Sequence, residues 1–145
     1  MNIGSIVIRS ATNEDTESVK RLLSTYFLDM DGVEIEDFMV VDVNGKTVGC
    51  AGLTYRPNPE LHTIAIHKNY QGKNIGSLLV EYILSNIPDG WDNLYVRTTA
   101  PGFFEKAGFL KMSDLEKRDV WEDCASCKRF ATCKQSGMRL LLKGT

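Results

Sequence analysis

Tyr70-Gln71-Gly72-Lys73-Asn74-Ile75-Gly76, running on into Ser77-Leu78-Leu79-Val80-Glu81-Tyr82-Ile83, is the stretch on which the fold turns. Apolar residues at 75, 78, 79, 83 and 87 recur at helical spacing and Pro88 stops the run, so a helix is predicted over 75–87. Leu61–Ile66, just upstream, reads as a strand. A glycine-containing turn between strand and helix leaves several backbone N–H groups unpaired at the helix N-terminus. With the helix dipole, worth about half a positive charge at that end, they form an anion site. Gly72 and Gly76 would let a phosphate approach the backbone, and Lys73 adds a cation. Neither G-x-x-x-x-G-K-[ST] nor G-x-G-x-x-G is present, which excludes P-loop hydrolysis and the dinucleotide fold. On the residues alone, a tight turn without a ligand stays open beside the anion site.

The flanking elements set the class. Ile6–Arg9 is a β-branched strand, and Thr12 offers an N-cap with Asp15 three residues on. Val19, Leu22, Leu23, Tyr26 and Phe27 follow at helical spacing, predicting a helix over 13–27. An acid-rich connection without a clear period leads to Phe38–Val43 and Lys46–Arg56, which flank the hairpin pair Asn44-Gly45. Residues 56–60 carry two prolines and read as a loop. Leu94–Thr98 is a strand, and Pro101 opens a short helix that Gly108 ends. Strands Phe109–Met112 and Met138–Lys143 complete the chain. The expected class is α+β, a mixed but mostly antiparallel sheet of six to seven strands flanked by helices.

At 145 residues, with 43% apolar and 25% charged residues, the chain has the size and composition of one globular domain, residues 1–145. No apolar run approaches the ~18 residues of a membrane helix. The start MNIGSIVIRS lacks the pattern of a signal peptide, so a cytoplasmic location is expected and no membrane partner. A net charge of −2 gives no reason to expect nucleic acid.

Gln71-x-x-Asn74-x-Gly76 resembles the Q/R-x-x-G-x-G/A motif of the GNAT superfamily of N-acetyltransferases, and the element order over roughly residues 6–112 is similar to that family. The resemblance implies acetyl-CoA as co-substrate, its pyrophosphate held by Gln71, Gly72, Lys73, Asn74, Ile75, Gly76 and Ser77. It implies that the strand carrying Ile64, Ala65 and Ile66 pairs with the pantetheine arm, an N–H near Ala65 facing the thioester oxygen. Asn74 departs from the family's usual glycine, but asparagine tolerates positive φ, so the turn survives with a side chain near the phosphates.

Acetyl transfer to an amine is aminolysis of a thioester, and neutralising a lysine-type ammonium at pH 7 costs about 4–5 kcal/mol. A positioned base helps, typically by ~10²–10⁴-fold. Glu60 aligns with a glutamate that serves as base in some family members, its alternative being an ordinary loop acid after Pro59; His62 ranks below it. Phe104 occupies the cofactor-side position where the family often supplies a proton-donating tyrosine. A thiol of pKa ~8.5 can leave as the anion, so that acid is helpful rather than obligatory, and water, Tyr70 or a thiol could substitute. Arg97-Thr98-Thr99-Ala100 followed by Phe103-Phe104 resembles the subgroup acting on free amino acids and their analogues, making Arg56 and Arg97 candidate carboxylate clamps. Acidic residues at 29, 31, 34, 36 and 37 argue the other way, for a cationic amine. The expected partner is a small-molecule amine, and a homodimer is one expected assembly.

Cys124-x₂-Cys127-x₅-Cys133 forms an unusual insertion over about 121–134. Three thiolates so spaced could hold zinc or an iron–sulfur centre, although no fourth ligand is evident nearby; reduced, packed thiols are the plainer reading. Cys50 lies in an apolar strand and is expected in the core. Two rivals accompany the acetyltransferase reading: a coenzyme-A-binding module without catalysis, and a metal or redox switch built on the cysteines.

Overall fold

Asn44 and Gly45 both take positive φ, +52° and +79°, and so form the hairpin turn expected between two strands. They belong to a computed structural model that describes residues 5–30, 32–55, 58–88, 90–98, 100–121 and 136–142. Its strands are β1 (Ile6–Ser10), β2 (Phe38–Val43), β3 (Lys46–Thr54), β4 (Glu60–Ile66), β5 (Asn93–Thr98), β6 (Leu110–Lys111) and β7 (Ser136–Leu141). Its helices are α1 (Thr16–Thr25), α2 (Ile75–Asn86), α3 (Pro101–Lys106) and α4 (Asp114–Val120). The class is the α+β one expected, a seven-stranded, mostly antiparallel open sheet flanked by helices. The chain divides into two compact units, the first Met1–Thr54 with Leu61–Pro88, the second Tyr55–Glu60 with Asp89–Thr145.

In the first unit β1, β2 and β3 pair antiparallel in sequence order and β4 follows. The β2/β3 register sets Phe38 opposite Gly52 and Val40 opposite Cys50, which puts all four on one face. A Cβ at Gly52 would come within 2.8 Å of the Phe38 ring, so glycine leaves that ring its place against β3. Val19, Leu22 and Leu23 of α1 cover this face together with Ala11, Val33, Ile35 and Ala65. Cys50 is fully buried, as expected. The predicted helix over 13–27 is shorter: residues 13–15 form a 3-10 turn, α1 stops at Thr25, and Phe27 is 99% exposed at φ +60°. Phe27 fits the helical period but lies beyond the helix end, where no core remains for it.

Arg9 organises the base of α1. Its two terminal nitrogens donate to Asp15, both at 2.8 Å, and its Nε donates to Asp42 at 3.0 Å. The Thr12 backbone N–H also donates to Asp15 at 2.8 Å, the reach-back bond the Thr12/Asp15 spacing foretold.

In the second unit β7 lies between β5 and β6, antiparallel to both. Helix α3 ends as predicted: Gly108 has φ +99°, and the N–H groups of Gly108 and Phe109 donate to the carbonyls of Glu105 and Phe104 at 3.0 Å each. The strand expected over 109–112 is Leu110–Lys111, and the Met112 N–H beyond it still donates to the Gly137 carbonyl at 2.8 Å. Helix α4 is an addition to the sequence reading. Ser113 Oγ accepts from the Glu116 N–H while Glu116 accepts from the Ser113 N–H, a complete capping box.

Candidate active site

Residues 71–74 form the turn that the sequence singled out, and Ile75, Gly76 and Ser77 open α2. Lys68–Tyr70 is a 3-10 turn, Gly72 has φ +75°, and Asn74 sits in the left-handed region at φ +66°, ψ +12°, immediately before α2. Asparagine therefore does adopt the conformation that glycine would take. The Gln71 side chain donates to the Ile66 carbonyl at 2.8 Å, tying the turn to the end of β4. His67 accepts from the Asn69 N–H at 3.2 Å and meets the Tyr70 ring edge-on. The first intrahelical bond of α2 runs from the Leu78 N–H to the Asn74 carbonyl. The N–H groups of Ile75, Gly76 and Ser77 precede it and have no helical partner. Nothing lies within 4 Å of a Cβ built on Gly72, and Gln71, Gly72 and Asn74 are exposed. The turn thus has the dipole, the donors and the open approach that an anionic group requires.

On β4, Ala65 is buried in the core beneath α1, while Ile64 and Ile66 alternate with it and are half-buried. His62 is exposed, with its ring 3.8 Å from where a Cβ on Gly32 would stand.

Glu60 opens β4 rather than lying in the preceding loop, and it is 9% exposed. A solvated loop acid is thereby ruled out. Its Oε1 accepts from the indole N–H of Trp121 at 2.9 Å, and its Oε2 accepts from Arg97 Nε at 3.2 Å. The Arg97 guanidinium carbon lies 5.1 Å from the Trp121 ring centroid, and Tyr95 meets that ring edge-on at 5.9 Å. Arg97, expected near a substrate carboxylate, thus gives its Nε to a carboxylate of this chain. Trp121 and its link to Glu60 escaped the sequence reading; the partners are 61 residues apart and no spacing rule connects them.

Phe104 is 3% exposed, with Phe103 and Phe109 edge-on to it at centroid distances of 5.0 and 5.3 Å. Its ring is an internal support of the α3 turn and has no proton to donate. Arg56, Cys124, Cys127 and Cys133 lie outside the described residues. Among the described residues, no three His, Cys, Asp or Glu side chains are grouped to hold a metal, and no helix is long and apolar enough to cross a membrane.

Comparison with known proteins bears on this arrangement. The family model of the acetyltransferase (GNAT) domain matches residues 34–111, more than half of the chain. An uncharacterized N-acetyltransferase of Chlorobaculum tepidum is 28% identical over 146 aligned positions, covering 90% of this chain and 93% of its own. The amino-acid acetyltransferase of Mannheimia succiniciproducens is 32% identical over 96 residues, 60% of this chain but 22% of that longer protein. Among solved structures, N-acetylglutamate synthase from Neisseria gonorrhoeae, complexed with coenzyme A and N-acetyl-glutamate, superposes with a TM-score of 0.76 at 18% identity. That match covers 98% of this chain and 36% of the other. The fold and the family match define an acyl-transferring enzyme. The chain belongs to the GNAT acetyltransferase family and is an N-acetyltransferase.

Proposed function

We propose that this protein transfers the acetyl group of acetyl-CoA to the primary amine of a small amino acid or amino-acid analogue, by direct attack in a ternary complex. The turn at residues 71–77 carries the reading: left-handed Asn74 and open Gly72 present unpaired amides at the start of α2, where the diphosphate of acetyl-CoA would be held. The backbone of Ile64, Ala65 and Ile66 would run beside the pantetheine arm. In the reaction the amine nitrogen forms a bond to the acetyl carbon, the carbon–sulfur bond breaks, and coenzyme A leaves as the thiolate. Glu60 is the proposed acceptor of the amine proton. A carboxylate has about four lone-pair sites, so it has acceptor positions beyond those that the Trp121 and Arg97 donors address. Holding thioester and amine together contributes several kcal/mol, about 7 or more in well-oriented systems.

The amino-acid class of acceptor draws its support from the similarity to an amino-acid acetyltransferase, with Arg56 and Arg97 as the cations for an acceptor carboxylate. One acetyltransferase domain spanning the chain, with the cysteine-containing segment as an insertion, is part of the same proposal. The test is incubation of the purified protein with acetyl-CoA and each of the common L-amino acids, following release of coenzyme A thiol and the mass of the acetylated product. Turnover of at least one amino acid is expected. Turnover confined to amines that carry no carboxylate would refute the acceptor class.

A further inference from the structure

We propose that Trp121 is a positioning residue for acetyl transfer, acting through Glu60; the inference rests on reading Glu60 as the proton acceptor. Three observations within the second unit carry it. The indole N–H donates to Glu60 Oε1 at 2.9 Å in a buried contact, while Arg97 Nε takes the other oxygen at 3.2 Å. Each oxygen of the carboxylate is therefore held by a donor from a residue remote in sequence, which fixes its plane as well as its position. The ring that brings the N–H there is itself fixed. The Arg97 guanidinium lies 5.1 Å from its centroid, and Tyr95 is edge-on at 5.9 Å.

The third observation is Gly137. A Cβ at this residue would lie 2.8 Å from Trp121 Cζ3 and 3.2 Å from the stem of Lys117. Gly137 stands opposite Arg97 in the β5/β7 register, so the ring rests on bare backbone directly across from the arginine that shares Glu60 with it. Any side chain at 137 would lift the indole and draw its N–H away from the carboxylate. Trp121 follows the last residue of α4, and its own N–H still donates to the Lys117 carbonyl at 3.0 Å, which sets the height of the ring along the helix.

A group held within a fraction of an ångström of its working place loses about a hundredfold in rate when it is misplaced by an ångström. Trp121→Phe keeps an aromatic ring but removes the N–H together with part of the indole, and Gly137→Ala keeps the whole indole and displaces it. The experiment compares the parent protein, Glu60→Gln, Trp121→Phe, Gly137→Ala and the double variant Glu60→Gln/Trp121→Phe in steady-state acetyl transfer. The acceptor is the L-amino acid that the parent acetylates fastest.

Trp121→Phe and Gly137→Ala are each expected to lower kcat about ten- to a hundredfold. The KM for acetyl-CoA should stay within twofold, and Trp121→His, whose ring carries an N–H, should recover part of the loss. The double variant should be no slower than Glu60→Gln alone, because a residue that acts only through Glu60 has nothing to act on once that carboxylate is gone. A purely structural tryptophan would instead multiply the two losses. Multiplicative losses, or a Trp121→Phe enzyme at the parent rate, overturn the inference while leaving the acetyltransferase reading in place. A Glu60→Gln enzyme at the parent rate, or a parent that acetylates no amino acid, overturns the functional reading and the inference with it. Should Trp121→Phe fail to fold, Gly137→Ala takes its place, alone and combined with Glu60→Gln, with the same expected and contrary outcomes.

Discussion

Glu60 concentrates the chemistry at the scale of single residues. It is buried, and donors from Trp121 and Arg97, both remote in sequence, fix its carboxylate. Glu60→Gln removes the proposed proton acceptor with little change of shape, so kcat should fall about 10²–10⁴-fold. A Glu60→Gln enzyme at the parent rate would assign the base elsewhere. Asp15 gives a second test, of stability. The Arg9 guanidinium, helped by the Thr12 backbone N–H, holds this carboxyl down at about 2 although burial opposes the shift. An unfolded aspartate titrates near about 3.9, so the pair's stabilisation is complete above about pH 4 and is lost as the pH falls through about 2. Asp15→Asn should cost about 1–3 kcal/mol in urea unfolding at pH 7 and much less at pH 2. A gap of equal size at both pH values would disprove the ion-pair account. Burial pushes the Cys50 thiol up to about 12, and iodoacetamide should spare it in the native protein and label it in urea.

At the scale of elements, the turn before α2 was the most legible feature of the chain. Positive φ at Gly72 and Asn74 follows from residue types that tolerate it, and the apolar period of α2 places Ile75, Leu79 and Ile83 in the core as expected. Gly72→Ala should strain the turn by roughly 1 kcal/mol and weaken acetyl-CoA binding. Asn74→Gly keeps the same φ without the side chain and should bind acetyl-CoA at least as tightly. Isothermal titration of the two variants checks both directions, and a Gly72→Ala protein that binds more tightly than Asn74→Gly would contradict the assignment. Helix α4 shows where pattern reading fails. Its buried side chain is Lys117 and its leucine, Leu115, is exposed, so no apolar period marks it. The Ser113/Glu116 capping box was the signal available in the sequence. Ser113→Ala should lower stability by about 1 kcal/mol, read as a shifted urea midpoint.

For the molecule as a whole, the order of elements along the chain was largely legible because hairpin, turn and cap signals lie within a few residues, whereas the insertion of β7 between β5 and β6 was not. Asn44-Gly45 fixed one hairpin, and Gly108 ended α3 where its neighbours required. What stayed hidden were contacts between distant residues. Arg9 meets Asp42 across 33 positions, and Glu60 meets Trp121 across 61. Such pairs depend on register and on which glycine leaves room, as Gly137 does for Trp121, and no local pattern encodes them. The family match over residues 34–111 contains the turn, β4 and Glu60 but stops short of Trp121, so the tryptophan contact comes from the structure alone. The central claim is that amides of residues 71–77 grip the diphosphate of acetyl-CoA. Calorimetric titration of coenzyme A into the intact protein tests it most directly. Saturable binding of one molecule per chain, weakened by Gly72→Ala, is the predicted result; no heat of binding at millimolar coenzyme A would contradict it.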